Sequence, residues 1–517
     1  MGSLGGCARR TAQGAVLPRG AVAPGTQPAR RPSGRRRGAD LPKRQAVARP
    51  GGVRRHRSGP PPPRPRAVHE GPRGNRPFHV PLNPPDVFRG EPVATEQRTR
   101  RAPATETSST QRIREVLAGF RRCENAAAES VNLVPSENRL SPLARLPLRS
   151  DFYNRYFFND GLDPDFWQFR GGQQVAELET ELAVHNLAQL SGASHVNVRP
   201  ISGMSAMMIA MAGLAGPPGG TVVSIDSASG GHYATEDVAR RLGFRSRCVP
   251  VVRGSVDTAL LTRFLSEDQP RLVYLDFQNC RWELDVAAVS ALVREHSPDT
   301  LLHVDCSHTL GLVLGGAMAN PLDQGADSMG GSTHKTFPGP HKGVLMTRSD
   351  TVRDRLRDAQ FRMVSSHHFA ETMALGFAAA EFAHFGRAYA RQVIANARFL
   401  GESLHEAGFD VVTDDGHVTE THQLWVRIGD AAATTAFSQR LFEQGIRVNV
   451  QVDLPGVPGP ALRLGVNELT FVGGGPEALT ALVDEFSGAR AGRTADGKGA
   501  QRVRDACGAP YHFTDLA

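Results

Sequence analysis

Residues 271–305 read RLVYLDFQNCRWELDVAAVSALVREHSPDTLLHVD: an apolar β-branched run, an amphipathic stretch, and a second apolar run. RLVYLDF has the continuous apolar character of a strand covered on both faces. ELDVAAVSALVREH repeats its apolar positions at helical spacing, and LLHVD returns to strand. Such a strand–helix–strand unit predicts parallel pairing through a crossover. The alternation extends upstream, where TVVSID precedes YATEDVARRLGF and RCVPVV precedes DTALLTRFLSE. Nearer the N-terminus, QRIREVLAGFRRCENAAAES and QQVAELETELAVHNLAQLSG read as helices, with VNLVPSENRLSP breaking into a loop between them. Downstream, helical patterns cover 351–360 and 369–407. Mixed elements follow: FDVVT, HQLWVRIGD, AAATTAFSQRLFEQGI, LRLGV and PEALTALVDEFSG. The expectation is an α/β protein with a mostly parallel sheet sandwiched by helices and a smaller C-terminal α+β domain. Its expected parts are a disordered tail over 1–105, an N-terminal arm plus large domain over 106–385, a small domain over 386–490, and a loose tail over 491–517. No internal repeat is present.

Charge is unevenly spread along the 517 residues. The first hundred carry 21 Lys and Arg against 5 Asp and Glu, while the remaining 417 carry 39 against 47. The overall +8 and the pI near 9.5 therefore belong to the tail, and a nucleic-acid partner is not expected of the body. Stretches such as GGVRRHRSGPPPPRPRAVHEGPRG lack periodic apolar positions and predict disorder. A nucleic-acid-binding arm, an organelle transit peptide and translated upstream sequence of a GC-rich gene are the three readings of this tail. Its Pro and Gly content disfavours an amphipathic transit peptide, and its codon-like composition favours the last reading. No signal-peptide apolar region follows Met1, and no apolar run reaches membrane-spanning length. The six cysteines (Cys7, Cys123, Cys248, Cys280, Cys306 and Cys507) are scattered. That spacing fits a reducing cytoplasm and argues against a disulfide framework or a bound metal.

Chemistry concentrates around residues 331–343, GSTHKTFPGPHKG, where Lys335 stands between small polar residues and a Pro-Gly-Pro turn. A solvated loop lysine and an amine poised for Schiff-base formation both fit this stretch alone. In open α/β sheets ligands collect at the C-terminal ends of strands. Asp305 closes LLHVD there, with His308 three residues on. A carboxylate at a buried strand end needs a cationic partner, and a pyridinium nitrogen would be one. Ser202, Gly203 and Met204 precede a helix, where backbone N–H groups suit a phosphate, although Ser-Gly is also an ordinary N-cap. His232 lies in a glycine-flanked loop after a strand. There an imidazole stacks on a flat ring or simply satisfies its own neighbourhood.

In order and spacing these pieces resemble the serine hydroxymethyltransferase family of fold-type-I pyridoxal-phosphate enzymes. VPSENRLSP resembles the family's Ser-Glu-Asn element and SGGHY its Gly-Gly-His. HVDCSHTLGLVLGG resembles its Asp-x-x-His-x-x-Gly-Leu strand end, and GSTHKTFPGPHKG its Thr-His-Lys-Thr-x-x-Gly-Pro. LRLGVNELT resembles its Arg-x-Gly-x-x-x-x-Thr. The match spans about 112–487. The resemblance implies that Lys335 holds pyridoxal 5′-phosphate, Asp305 bonds its pyridine nitrogen, and His232 stacks on its ring. It also puts His308 near the phenolic oxygen and Ser202, Gly203 and the Met204 backbone around the phosphate, with Gly343 donated by a partner subunit. Arg463 would grip the substrate α-carboxylate, helped by Ser136, and Tyr156 would come from the neighbouring chain of a homodimer.

One segment departs from the family. Residues 155–172, RYFFNDGLDPDFWQFRGG, are about two residues longer than its Tyr-Ser-Glu-Gly to Tyr-Tyr-Gly-Gly stretch. Asp160 is the carboxylate nearest the expected glutamate, and Phe169 and Arg170 replace paired tyrosines. The folate pocket is thus altered while the cofactor pocket is intact. THKTFPGPHKG and ETHQLWVRIGD look closer to the threonine transaldolase branch of the family. The expected activity is cleavage and formation of the Cα–Cβ bond of β-hydroxy-α-amino acids, with glycyl transfer to an aldehyde. The alternative is folate-dependent glycine/serine hydroxymethyl transfer using tetrahydrofolate. An aminotransferase, and a nucleic-acid-binding protein on an idle fold, are the more distant rivals.

Overall fold

The computed structural model describes residues 106–155, 173–364, 366 and 368–516. Seven strands form the main sheet: β1 His195–Asn197, β2 Thr221–Ile225, β3 Arg245–Val249, β4 Leu272–Asp276, β5 Leu301–Asp305, β6 Ser328–Ser332 and β7 Gly343–Thr347. Their spatial order is β1-β7-β6-β5-β4-β2-β3. The run from β6 to β3 is parallel, and β7 is antiparallel to both its neighbours. Strands buried on both faces must be apolar on both, and Val222, Val223, Leu272, Val273, Leu275 and Leu302 are wholly buried. The edge strand β3 instead alternates exposed arginines with less exposed residues. Asp276 and Asp305 end β4 and β5 side by side, in register.

A four-stranded antiparallel sheet follows, made of β8 Asp410–Val411, β9 Gln423–Arg427, β10 Asn449–Gln451 and β11 Ala461–Gly465 in the order β8-β9-β11-β10. Arg463 on β11 lies between Trp425 on β9 and Asn449 on β10. The two-residue strand Val131–Asn132 pairs with Ile446–Arg447 and carries the N-terminal loop to this region.

Several details differ from the expectations. The boundary at 385/386 falls inside one unbroken helix, Phe369–Glu406, which serves both halves. The segment 491–517 is packed rather than loose. Helix Gly499–Asp505 buries Ala500 and Val503, Arg502 Nε reaches Glu485 Oε1 at 2.7 Å, and the Tyr511 N–H donates to Phe471 O at 2.9 Å. The helix read over 173–192 contains a π-helical stretch, Glu179–Val184, and ends at Gly192 with φ +64°.

Candidate active site

Lys335 occupies the loop between β6 and β7, and its backbone is held from three distant parts of the chain. Its carbonyl accepts Asn138 Nδ2 at 2.6 Å and Asn467 Nδ2 at 3.3 Å. The Tyr389 hydroxyl donates to Thr336 O at 2.9 Å. The Thr336 hydroxyl donates to His308 O at 2.9 Å and accepts the Gly311 N–H at 3.0 Å. Only the side chain is left free to move. Burial pushes the Lys335 amine down to about 8, with Asp305 pulling the other way.

Asp305 shares a cleft with Lys335, Gly203, Met204, His232 and His308. Its Oδ2 accepts the Tyr274 hydroxyl at 2.6 Å and its Oδ1 accepts the Ser307 N–H at 2.8 Å. A Cβ on Gly331 would lie 2.7 Å from Asp305 Oδ1, so only glycine leaves room there. Asp276, beside it, also lines the cleft. Burial raises its carboxyl to about 8, against the lowering effect of the Thr235 hydroxyl that donates to Oδ2.

Ser202 begins helix Gly203–Leu214 with a reciprocal cap: its Oγ accepts the Ser205 N–H at 3.1 Å, and its N–H donates to Ser205 Oγ at 2.9 Å. A Cβ on Gly203 would clash with Ser332 Oγ, so the glycine is what allows the helix start to sit against β6. His232 Nδ1 accepts the Ala234 N–H at 3.2 Å, which places the ring proton on Nε2, and burial pushes the imidazole down to about 4. His308 is buried at the wall of the cleft. Its Nδ1 takes the Gln423 amide at 3.2 Å, and burial holds it neutral, well below its ordinary pKa.

Arg463 reaches the site from β11. Its Nη1 donates to Asn279 Oδ1 at 2.7 Å and its Nε to Asn449 Oδ1 at 3.0 Å. Ser136 sits in the loop that packs on the same strand, where the Gly465 N–H donates to Leu133 O at 2.8 Å and Pro135 O faces His422 Nε2 at 3.2 Å.

Gly343 donates its N–H to Pro200 O of its own chain at 3.1 Å, and a Cβ there would lie 2.5 Å from Ser202 O, so it packs close under the Ser202 turn. Tyr156, with Asp160, Trp167, Phe169 and Arg170, lies outside the described residues. Sequence reasoning missed Asn138, Asn467, Tyr389, Tyr274, Asp276 and Asn279. Asn138 and Asn467 stand inside the motifs VPSENRLSP and LRLGVNELT, which was the available signal.

A depressed lysine amine, a hydrogen-bonded carboxylate and a glycine-opened helix start in one cleft fit pyridoxal 5′-phosphate. Among the described residues no group of three His, Cys, Asp or Glu side chains is arranged to hold a metal ion. None of their helices is long and apolar enough to cross a membrane.

The serine hydroxymethyltransferase family model matches residues 111–481. An L-threonine:uridine-5′-aldehyde transaldolase of an Amycolatopsis species is 66% identical over 409 residues, covering 79% of this chain and 99% of the relative. A serine hydroxymethyltransferase of Methanothermobacter thermautotrophicus is 32% identical over 372 residues, 70% of this chain and 85% of its own. The crystal structure of an L-threonine transaldolase from Pseudomonas fluorescens superposes with a TM-score of 0.71 at 27% identity, covering 80% of this chain and 96% of that one. The expected fold and the expected aldol-type chemistry at a Cα–Cβ bond are those of these relatives. The chain belongs to the serine hydroxymethyltransferase family of fold-type-I pyridoxal-phosphate enzymes, on the side of its threonine transaldolases.

Proposed function

We propose that the protein transfers the glycyl unit of L-threonine to uridine-5′-aldehyde. Acetaldehyde is released, and the product is a β-hydroxy-α-amino acid built on the nucleoside's C5′. The observation that carries this reading is the 66% identity over 99% of the Amycolatopsis enzyme, twice the identity to the hydroxymethyltransferase.

The site residues have matching roles. Lys335, neutral more readily than an exposed lysine, would supply the amine that holds the cofactor. When bound, pyridoxal phosphate supplies the carbonyl for that linkage and a ring that accepts the electron pair of the broken bond. Asp305, its oxygens kept in place by Tyr274 and Ser307, would hold a proton at the pyridine nitrogen of the bound cofactor. His232, whose Nδ1 accepts the Ala234 N–H, would cover the ring of the bound cofactor, and His308, whose Nδ1 takes the Gln423 amide, would lie near its phenolic oxygen. The Ser202, Gly203 and Met204 turn at the helix start would take the cofactor's phosphate. Arg463 grips the substrate carboxylate in a fork that a lysine lacks, with Ser136 beside it.

A cytoplasmic homodimer with shared sites, Tyr156 coming from the second subunit, completes the proposal. Ile113, Val116, Leu117 and Phe120 are exposed at helical spacing on helix Glu106–Glu129, which supports a second copy covering that face. The test is acetaldehyde release from L-threonine with uridine-5′-aldehyde present, run beside L-serine with tetrahydrofolate. Folate-dependent serine turnover with negligible threonine cleavage would restore the hydroxymethyltransferase reading.

A further inference from the structure

The segment after β4 carries a residue to which no role has yet been given. Asn279 is buried and makes two contacts that join separate parts of the site. Its N–H donates to Gly230 O at 3.0 Å, inside the glycine loop that carries His232. Its Oδ1 accepts Arg463 Nη1 at 2.7 Å. The flanking residues are bolted to the small sheet and its approaches. Gln423 Nε2 donates to Gln278 O at 2.9 Å and the Thr421 hydroxyl to Cys280 O at 2.7 Å. Arg281 Nη1 donates to Val412 O at 3.0 Å and Val418 O at 2.9 Å. The Asn279 side chain therefore has a fixed origin.

Arg463 is 5% exposed, and a cation at that depth ordinarily meets an anion. Among the described residues it meets none. Its recorded partners are the two amide oxygens, from Asn279 on one side and Asn449 on the other. An amide oxygen orients a guanidinium without cancelling its charge, and three of the five N–H groups remain for a ligand. The arrangement suits an incoming carboxylate, which finds a full positive charge already aimed. An acidic residue in either place would satisfy the arginine and compete with the substrate.

We propose that Asn279 is a positioning residue for the amino-acid substrate: its amide oxygen aims Arg463 without neutralising it, and its N–H ties that grip to the His232 loop. The inference rests on the reading of Arg463 as the carboxylate ligand.

The test uses holoenzyme carrying Asn279→Ala, Asn279→Asp or Arg463→Lys. The dissociation constants of glycine and L-threonine are read from the visible absorbance of the bound cofactor. Asn279→Ala should weaken both by about tenfold, the loss of one hydrogen bond to a charged group. Asn279→Asp, though closer in shape, should weaken them further, to about a hundredfold, because its carboxylate pairs with Arg463. In both variants turnover at saturating threonine should fall far less than kcat/KM. Asp binding the amino acids as well as Ala, or better, would overturn the proposal. So would loss of the lysine-bound cofactor absorbance in Asn279→Ala, which would mark a merely structural role. Weak binding by Arg463→Lys beside normal binding by both Asn279 variants would overturn this proposal alone. Normal binding by Arg463→Lys would overturn the carboxylate reading and this proposal with it.

Discussion

The Tyr274 hydroxyl donates to Asp305 Oδ2 at 2.6 Å, linking the middle of β4 to the end of the adjacent parallel strand β5. Burial first, then the charges of Asp305 and Asp276, hold the phenol well above its ordinary pKa, so it remains a donor at any working pH. Tyr274→Phe should leave that carboxylate oxygen short of a partner. A loss of one charge-assisted hydrogen bond predicts about a ten- to hundredfold fall in kcat/KM. The cofactor's absorbance, and its dependence on pH, should shift as well. Unchanged spectra and turnover would mean that Asp305 does not need the phenol.

Lys335→Ala should abolish the absorbance of the lysine-bound cofactor and reduce turnover by several orders of magnitude. The folded state should survive, because the contacts that hold this loop use the Lys335 and Thr336 carbonyls, not the amine. A variant that reacts as fast as the parent would make Lys335 an ordinary loop lysine.

The parts of this architecture that the sequence revealed are those written locally. Parallel strands covered on both faces show as uninterrupted apolar runs, so β2, β4 and β5 were legible with nearly correct bounds. Asp305 was legible because it closes such a run, and Lys335 because small polar residues and a Pro-Gly-Pro turn bracket it. The network around them was not. Asn138 and Tyr389 meet 251 residues apart in sequence, and Asn279 meets Arg463 across 184, so no spacing announces either contact. Helix Gly499–Asp505 escaped for a different reason: at seven residues it is too short to show a helical period, and its surface is polar. The glycine-rich pattern around Gly343 likewise does not reveal that Pro200 O takes its N–H.

Asp276→Asn tests the second carboxyl. The folded protein holds this group's proton up to about pH 8, while an unfolded aspartate releases it near its ordinary value of 3.8. The stability contributed by the protonated form is therefore complete below the unfolded value. It is lost progressively as the pH rises through the folded one. Asparagine carries no such loss. The variant should gain on the parent by up to about 1 kcal/mol per pH unit between roughly pH 5 and pH 8. Thermal unfolding of both proteins across that range measures it. A constant difference would show that Asp276 is ionised in the fold.

Removal of residues 1–100 should leave solubility and turnover within about twofold of the full chain. The family model begins at residue 111, and the Amycolatopsis relative is covered over 99% of its length by 79% of this chain. The removed segment carries the surplus of positive charge and lacks periodic apolar positions. Insoluble protein, or activity restored by added nucleic acid, would show that the arm contributes.

The most direct test of glycyl transfer follows the carbon itself. L-Threonine labelled with carbon-13 at Cα is incubated with the holoenzyme and uridine-5′-aldehyde, without folate, and the products are resolved by mass spectrometry. The expected result is label in a nucleoside-linked β-hydroxy-α-amino acid, with one unlabelled acetaldehyde released for each product formed. Label that stays in threonine, or that passes only to serine in a parallel incubation supplied with methylenetetrahydrofolate, would contradict the account.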